Sequence, residues 1–280
     1  MNHTIRVTVL IDNSPARDNA SLLPEHGLSL LVETAHQRIL YDMGASARFM
    51  ENARLLGIDL STIDYAFLSH GHADHTGGLE AFLSHFPQTP VYLAQGLFDA
   101  RYYSYRRGAR RDISTPEILK AQYGDRFRFL SGSQWLSDEI AAVRNQSTRH
   151  PKPEGNRFLV KETDQGEMPD DFNHELALAI KSDRGLVILS ACSHGGALNI
   201  IESCRAFTGE EKVAAFIGGL HFVDSEQTID ETRYFSEAVR AHYPQLEIHT
   251  GHCTGDLAKR QLLHELPQPH LFATGDTFLI

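Results

Sequence analysis

The sequence predicts an α/β protein of two mixed β-sheets with helices on their outer faces. Three observations predict it. Strand-like segments separated by turns fill the first quarter, strand and helix signals alternate through the last third, and the 280 residues carry an ordinary globular balance of 41% hydrophobic and 22% charged side chains. That length is enough for one large domain with a sizeable core, and residues 1–280 are read as a single domain.

The elements follow in order. Residues 5–11 alternate apolar and polar, as a half-buried strand does. Residues 28–33 and 38–41 make a second and third strand, and Asp42-Met43-Gly44-Ala45 supplies the turn after them. Residues 46–57 read as a helix stopped by Gly57. Residues 65–68 are a short apolar strand, 79–86 have helical spacing before Pro87, and 91–94 are another strand. The stretch 97–160 is less regular and reads as a lid or insertion over one face. Strands at 175–181 and 186–191 follow, joined by Ser182-Asp183-Arg184-Gly185. Helix 197–207, strand 213–217, helix 226–242, strand 247–249, helix 256–266 and strand 277–280 complete the alternation.

Charge and cysteine content narrow the function classes. With 26 basic and 36 acidic residues the formal net charge is −10, a poor balance for binding nucleic acid or an anionic membrane. The three cysteines are far apart and form no Cys-x-x-Cys pair, which suits a reducing compartment. The first twelve residues read as a strand rather than a targeting segment, and no apolar run reaches the roughly 18 residues needed to cross a bilayer. The expectation is a cytoplasmic protein with a small-molecule substrate, no nucleic acid and no membrane partner. Association into a homo-oligomer is left open.

Sixteen histidines is a high count, and they cluster at His70-Gly71-His72-Ala73-Asp74-His75. His70 and His72 are two apart on an extended loop, so their side chains can point the same way. Imidazole and carboxylate are the ligands of zinc-type metals. Four of them within six residues crowd one tetrahedral ion but suit two ions side by side, His70 and His72 on one, Asp74 and His75 on the other. Two ions about 3.5–4 Å apart share a hydroxide and lower its pKa toward neutrality.

The run Leu68-Ser69-His70-Gly71-His72-Ala73-Asp74-His75-Thr76-Gly77-Gly78-Leu79 resembles the signature of the metallo-β-lactamase superfamily. Further segments fall in order: Glu25-His26-Gly27-Leu28-Ser29, Asp171-Phe172-Asn173-His174-Glu175, Ala191-Cys192-Ser193-His194-Gly195-Gly196, Gly218-Gly219-Leu220-His221 and His252-Cys253-Thr254-Gly255. Together they resemble the branch that includes 7,8-dihydropterin-6-yl-methyl-4-(β-D-ribofuranosyl)aminobenzene 5′-phosphate synthase alongside many metallo-hydrolases. The resemblance implies an αββα sandwich with two divalent ions, zinc by preference, manganese or iron as alternatives.

In this superfamily the remaining ligands come one at a time from later strand ends. His194 follows the strand 186–191 and His252 follows 247–249, and both are expected ligands. Cys192 is read as a small buried residue and a minor contender for a thiolate ligand, and Cys253 as packing behind the site. His174 could complete the first metal shell. His221 could do so too, or donate to a substrate oxyanion. Asp42 and Glu175 are candidates to hold the far nitrogen of a ligating ring. His26 reaches the cleft mouth or is a plain loop residue. The window Arg101 to Arg111 carries arginines and tyrosines suited to an anionic, ring-bearing substrate, with Arg106 and Arg107 as contacts. A solvated or subunit-contacting segment explains it equally simply.

The leading expectation is a hydrolase using a hydroxide shared by two metals, with Asp74 and His221 as catalytic residues. The alternatives are a transferase coupling a dihydropterin diphosphate to a ribofuranosyl aminobenzene phosphate, as the resemblance implies, and a non-catalytic metal-binding module.

Overall fold

The computed structural model describes residues 4–106, 108–267 and 269–280. The strands in chain order are β1 (Arg6–Ile11), β2 (Ser29–Glu33), β3 (Arg38–Tyr41), β4 (Tyr65–Phe67), β5 (Val91–Ala94) and β6 (Arg101–Ser104). There follow β7 (Arg111–Asp112), β8 (Phe127–Leu130), β9 (Gln134–Trp135), β10 (Ile140–Val143), β11 (Leu159–Thr163) and β12 (Gly166–Pro169). The last six are β13 (Ala177–Ser182), β14 (Gly185–Leu189), β15 (Val213–Ile217), β16 (Glu247–Thr250), β17 (His270–Leu271) and β18 (Thr277–Leu279). The helices are α1 (Arg48–Leu55), α2 (Ala73–Thr76), α3 (Leu79–His85), α4 (Ile118–Tyr123), α5 (Ala197–Thr208), α6 (Thr228–His242) and α7 (Asp256–Glu265). Among the described residues, no helix is long and apolar enough to cross a membrane.

The chain divides into two compact units. The first comprises Met1–Ser131, Phe158–Glu175 and Ala273–Leu279. Its main sheet has the order β18-β1-β2-β3-β4-β5-β8. The β1–β2–β3 part is antiparallel, with a short turn joining β2 to β3, and β3–β4–β5–β8 is parallel, as helical crossovers require. Phe49 and Ala53 of α1 and Leu79, Phe82 and Leu83 of α3 pack on Leu31, Leu40, Ala66 and Val91 of that sheet. Each large side chain so buried contributes about 1.5–3 kcal/mol. A separate four-stranded sheet has the order β12-β11-β6-β7.

The second unit comprises Gly132–Arg157, Leu176–Phe272 and Ile280. Its sheet has the order β17-β16-β15-β14-β13-β10-β9, and β14, β15, β16 and β17 run parallel. Ile200, Ile201 and Cys204 of α5, Phe235 and Val239 of α6 and Leu262 of α7 pack on Ile188, Phe216 and Ile248.

The stretch 97–160 contains more order than its sequence announces. It supplies the edge strand β8 of the first unit's main sheet, half of the four-stranded sheet, and β9 and β10 of the second unit. The metal-motif loop also differs from a simple extended loop: Asp74 and His75 lie in the single-turn helix α2, with His72 at its N-cap.

Candidate metal centre

The first unit places the motif at the end of β4. Gly77 and Gly78 are there because backbone passes close by: a Cβ on Gly77 would lie 2.2 Å from the Ala45 carbonyl oxygen, and one on Gly78 2.4 Å from that of Met43. The Met43 N–H donates to the His75 carbonyl at 2.8 Å, and the Gly77 N–H to that of Gly44 at 2.9 Å, which fixes the turn against the β3 exit.

Asp42 organises the rings. It is fully buried at φ +56°, and its Oδ1 accepts the Ser69 N–H at 2.7 Å. Its Oδ2 accepts the Ser69 hydroxyl at 2.6 Å and the His75 Nδ1–H at 2.8 Å. With its proton committed to Asp42, Ser69 Oγ accepts from His70 Nδ1–H at 2.8 Å. One carboxylate therefore puts the ring proton of both His70 and His75 on Nδ1, so that Nε2 is the lone-pair nitrogen of each ring. Asp42 thus stands where the sequence reading expected a carboxylate, behind the far nitrogen of these rings. The rings of His70 and His72 are 4.6 Å apart and those of His70 and His75 4.2 Å apart, centroid to centroid. Asp74 stands at the edge of this group, its Oδ2 3.6 Å from His75 Nε2 and 3.5 Å from His26 Nε2.

Asp170 is the residue that sequence reasoning missed. Its buried Oδ2 lies 3.4 Å from His72 Nε2 and 3.2 Å from His174 Nε2. Burial opposes its ionisation, but the hydrogen bonds from His174 and His72 hold its carboxyl well below the usual range. Burial also depresses the basicity of His72, against the pull of Asp170, so a neutral ring faces an anion. The 3.4 Å separation of His72 Nε2 from Asp170 Oδ2 is long for a direct charged hydrogen bond. An Asp-Asp pair in a loop carries no spacing signal, which is why it escaped notice.

His174 sits beside this pair but is already committed. Its Nδ1 accepts the Gly71 N–H at 2.9 Å, so a neutral ring carries its proton on Nε2, facing Asp170. In that tautomer His174 holds the Gly71 backbone and Asp170, and with His72 and Asp170 it forms a buried group whose ligand atoms lie within 4.8 Å of one another. Tyr102 packs on it with ring centroids 4.2 Å apart.

In the second unit the candidates lie on loops at the carboxyl ends of β14, β15 and β16. His194 Nδ1–H donates to Asn156 Oδ1 at 3.0 Å, and Asn156 Nδ2 returns a bond to the His194 carbonyl at 2.8 Å. The ring is thereby fixed with its proton on Nδ1, and it is fully buried. His221 packs against it, ring centroids 4.4 Å apart. His221 and His252 both adopt positive φ, +53° and +46°, a conformation that costs of order 1 kcal/mol per non-glycine residue. The loops are over-determined in that shape: Gly219 N–H bonds Ala191 O, Leu220 N–H bonds Thr254 Oγ1, and Gly255 N–H bonds Phe222 O. Cys192 and Cys253 are buried thiols. For Cys253, burial raises the thiol pKa, but hydrogen bonding with Cys192 and the neighbouring His252 and His221 bring it well below normal.

The substrate candidates are placed more variously. His26 accepts from Asn13 Nδ2 at Nδ1, turning Nε2 toward Asp74. Glu175 is buried, its N–H bonded to the Phe172 carbonyl. Of the arginine window, Arg110 bonds Glu167 at 2.6 Å and lies 3.4 Å over the Tyr103 ring, and Arg101 pairs with Asp112. These two cations are met by acids of their own sheet. Arg106 is exposed, and Arg107 lies outside the described residues.

Buried imidazoles oriented by a shared carboxylate, at the ends of strands in a mixed α/β fold, define a metal-binding protein of the β-lactamase type. The family model "Metallo-beta-lactamase superfamily" matches residues 22–178, more than half of the chain, and the protein belongs to that superfamily. The chain is 28% identical over 272 residues to a 7,8-dihydropterin-6-methyl-4-(beta-D-ribofuranosyl)-aminobenzene-5'-phosphate synthase of Methanocaldococcus jannaschii, covering 89% of this chain and 88% of that one. Among solved structures it is similar to Tm1679, described as a metal-dependent hydrolase of the beta-lactamase superfamily. The TM-score is 0.80 at 26% identity, with 98% of each chain covered. The metallo-beta-lactamase fold protein YhfI from Bacillus subtilis shares the fold, with TM-score 0.58 and 15% identity over 99% of this chain and 100% of that one.

Proposed function

We propose that this protein is a metal-dependent hydrolase of a small, anionic substrate, with two divalent ions, zinc by preference, held by imidazole and carboxylate ligands. The observation that carries the reading is the Asp42–Ser69 network, which puts the ring protons of His70 and His75 on Nδ1 and so makes Nε2 the nitrogen able to bind a metal. His70, His72, Asp74, His75 and Asp170 are the proposed ligands of the first unit, and His194 and His252 those of the second. His174 holds Asp170 and Gly71 in place. Bound there, a pair of divalent ions supplies an acidified water and Lewis-acid stabilisation of developing negative charge. Asp74, partly exposed beside His26, is the group best set to accept a proton at Oδ2 and pass it to His26 Nε2 and solvent. His221, on its strained loop, is a donor to the substrate.

A second reading is a transferase that joins a dihydropterin diphosphate to a ribofuranosyl aminobenzene phosphate with loss of diphosphate. Its support is the nearly full-length similarity to the synthase. A non-catalytic metal-binding module is the third. The test is to strip purified protein with chelator, restore zinc, manganese or iron, and assay lactone and phosphodiester cleavage beside pterin coupling. Metal-restored hydrolysis lost in His75→Ala is the expected result. Metal-restored coupling without hydrolysis replaces the hydrolase by the transferase. Bound metal with neither activity leaves the module, and well under one ion per chain removes all three.

A further inference from the structure

The second unit gathers sulfur as well as imidazole. β14, β15 and β16 are adjacent and parallel, so the loops leaving their carboxyl ends lie side by side. Cys192 comes three residues after β14, His221 four after β15 and Cys253 three after β16. The Sγ of both cysteines and one ring nitrogen of His221 all lie within 4.8 Å of one another, and all three residues are buried. The Cys253 thiol points at the Cys192 carbonyl, 3.7 Å away. Gly219 clears the space: a Cβ there would stand 2.3 Å from Cys253 Sγ and 2.8 Å from the Ala191 oxygen. The third cysteine, Cys204, is on α5 in the apolar core, where burial alone raises its thiol well above the normal range.

We propose that Cys192, His221 and Cys253 form a thiolate-rich cation site in the second unit that takes a soft divalent ion such as zinc. The donor set goes beyond the imidazole and carboxylate ligands of the proposed hydrolase. Two thiolates and an imidazole favour zinc, cobalt or ferrous ion and discriminate against magnesium and calcium, which take oxygen. Three protein donors also leave the fourth position of a tetrahedral ion for an exogenous ligand, the arrangement of catalytic rather than structural zinc sites. The site needs no movement of backbone beyond the loops already held by the Gly219–Ala191, Leu220–Thr254 and Gly255–Phe222 bonds.

Cobalt distinguishes these donors, because a thiolate bound to cobalt absorbs in the near ultraviolet and imidazole or carboxylate does not. The full-length protein, reduced and stripped of metal, is titrated with cobalt. A saturating near-ultraviolet charge-transfer band, reduced by about half in Cys192→Ser and in Cys253→Ser, is expected, since each variant removes one of two thiolates. A second measurement avoids variants. In the unaltered protein, zinc slows alkylation of Cys192 and Cys253 by about tenfold beyond any slowing of Cys204, read peptide by peptide, because the thiolate is the nucleophile and the ion occupies it. Cobalt uptake with visible bands but no near-ultraviolet band, or equal slowing of all three cysteines, overturns the site and leaves the hydrolase reading standing. No cobalt uptake at all removes both.

Discussion

The motif histidines His70, His72 and His75 of the first unit are braced by carboxylates, and His194 of the second by a neutral amide. Asp42 holds the Nδ1 protons of His70, through Ser69, and of His75, while Asp170 stands against His72 and His174. In the second unit an amide, Asn156, does the same for His194, and hydroxyl and backbone bonds shape the loops of His221 and His252. Both schemes choose a tautomer. Only the first adds negative charge behind the ring, which makes the other ring nitrogen more basic and would offset the charge of a dication bound there. The second fixes geometry through strained backbone and leaves charge to the thiols. The two units thus orient their histidines by different means, the first by charge and the second by neutral bonds and backbone shape.

The largest effect that would break this contrast is at Asp42. Asp42→Asn keeps the size and tolerates the φ of +56°. The amide, however, can present an N–H where Oδ2 now accepts two bonds. His75 then accepts at Nδ1, its proton moves to Nε2, and the ligand lone pair is lost. Metal affinity should fall at least about 10–100-fold. Stability should fall by about 3 kcal/mol, because buried donors lose their acceptor. Metal titration with a chromophoric chelator and denaturant melts check the two parts. Unchanged affinity would mean that the rings are oriented by packing alone, and the role of charge in the first unit would disappear.

Acid separates the units differently. His249 on β16 is 3% exposed, stacked on His270 at 4.5 Å, and burial together with His270 lowers its pKa to about 4, against the pull of Glu247. The unfolded ring takes its proton near pH 6.5 and the folded one only near 4. Stability from this group is therefore full above about pH 6.5 and is lost as pH falls from there to about 4, amounting to about 3 kcal/mol. Asp170 in the first unit works in a lower window. Its depressed carboxyl contributes above about pH 4, and that contribution is lost only as pH falls further. Trp135, the single tryptophan, is on β9 of the second unit and reports on it by fluorescence. Denaturant midpoints by Trp135 emission should drop between pH 6.5 and 4.5, and His249→Gln should flatten that slope. An equal slope in the variant would assign the acid sensitivity elsewhere.

How much of this was legible in the sequence follows from range. The His70–His75 run is readable because four ligand types fall in six residues, and Gly77-Gly78 because close backbone leaves no room for a Cβ. Asp42 is readable as the acid at the exit of a strand. Asp170 and Asn156 are not, because each meets its histidine through tertiary contact, Asp170 with His72 across 98 positions and Asn156 with His194 across 38. The positive φ of His221 and His252 is equally silent, since histidine carries no glycine-like signal. The strands β8 and β10 were hidden because a short edge or added strand in a polar stretch has no long period to detect.

The smallest effect sharpens the comparison most. Asn156→Ala removes the acceptor of His194 Nδ1–H and the donor to the His194 carbonyl, two neutral bonds, and takes away no charge. Neutral hydrogen bonds contribute about 1 kcal/mol each, and water can replace part of them at this half-buried position. Stability should therefore fall by about 1–2 kcal/mol and metal affinity by no more than about tenfold, less than for Asp42→Asn. Adding salt should leave the loss unchanged, because no ion pair is broken. A loss as large as that at Asp42 would show that the tautomer, rather than the charge behind it, is what both units supply, and the contrast between them would disappear.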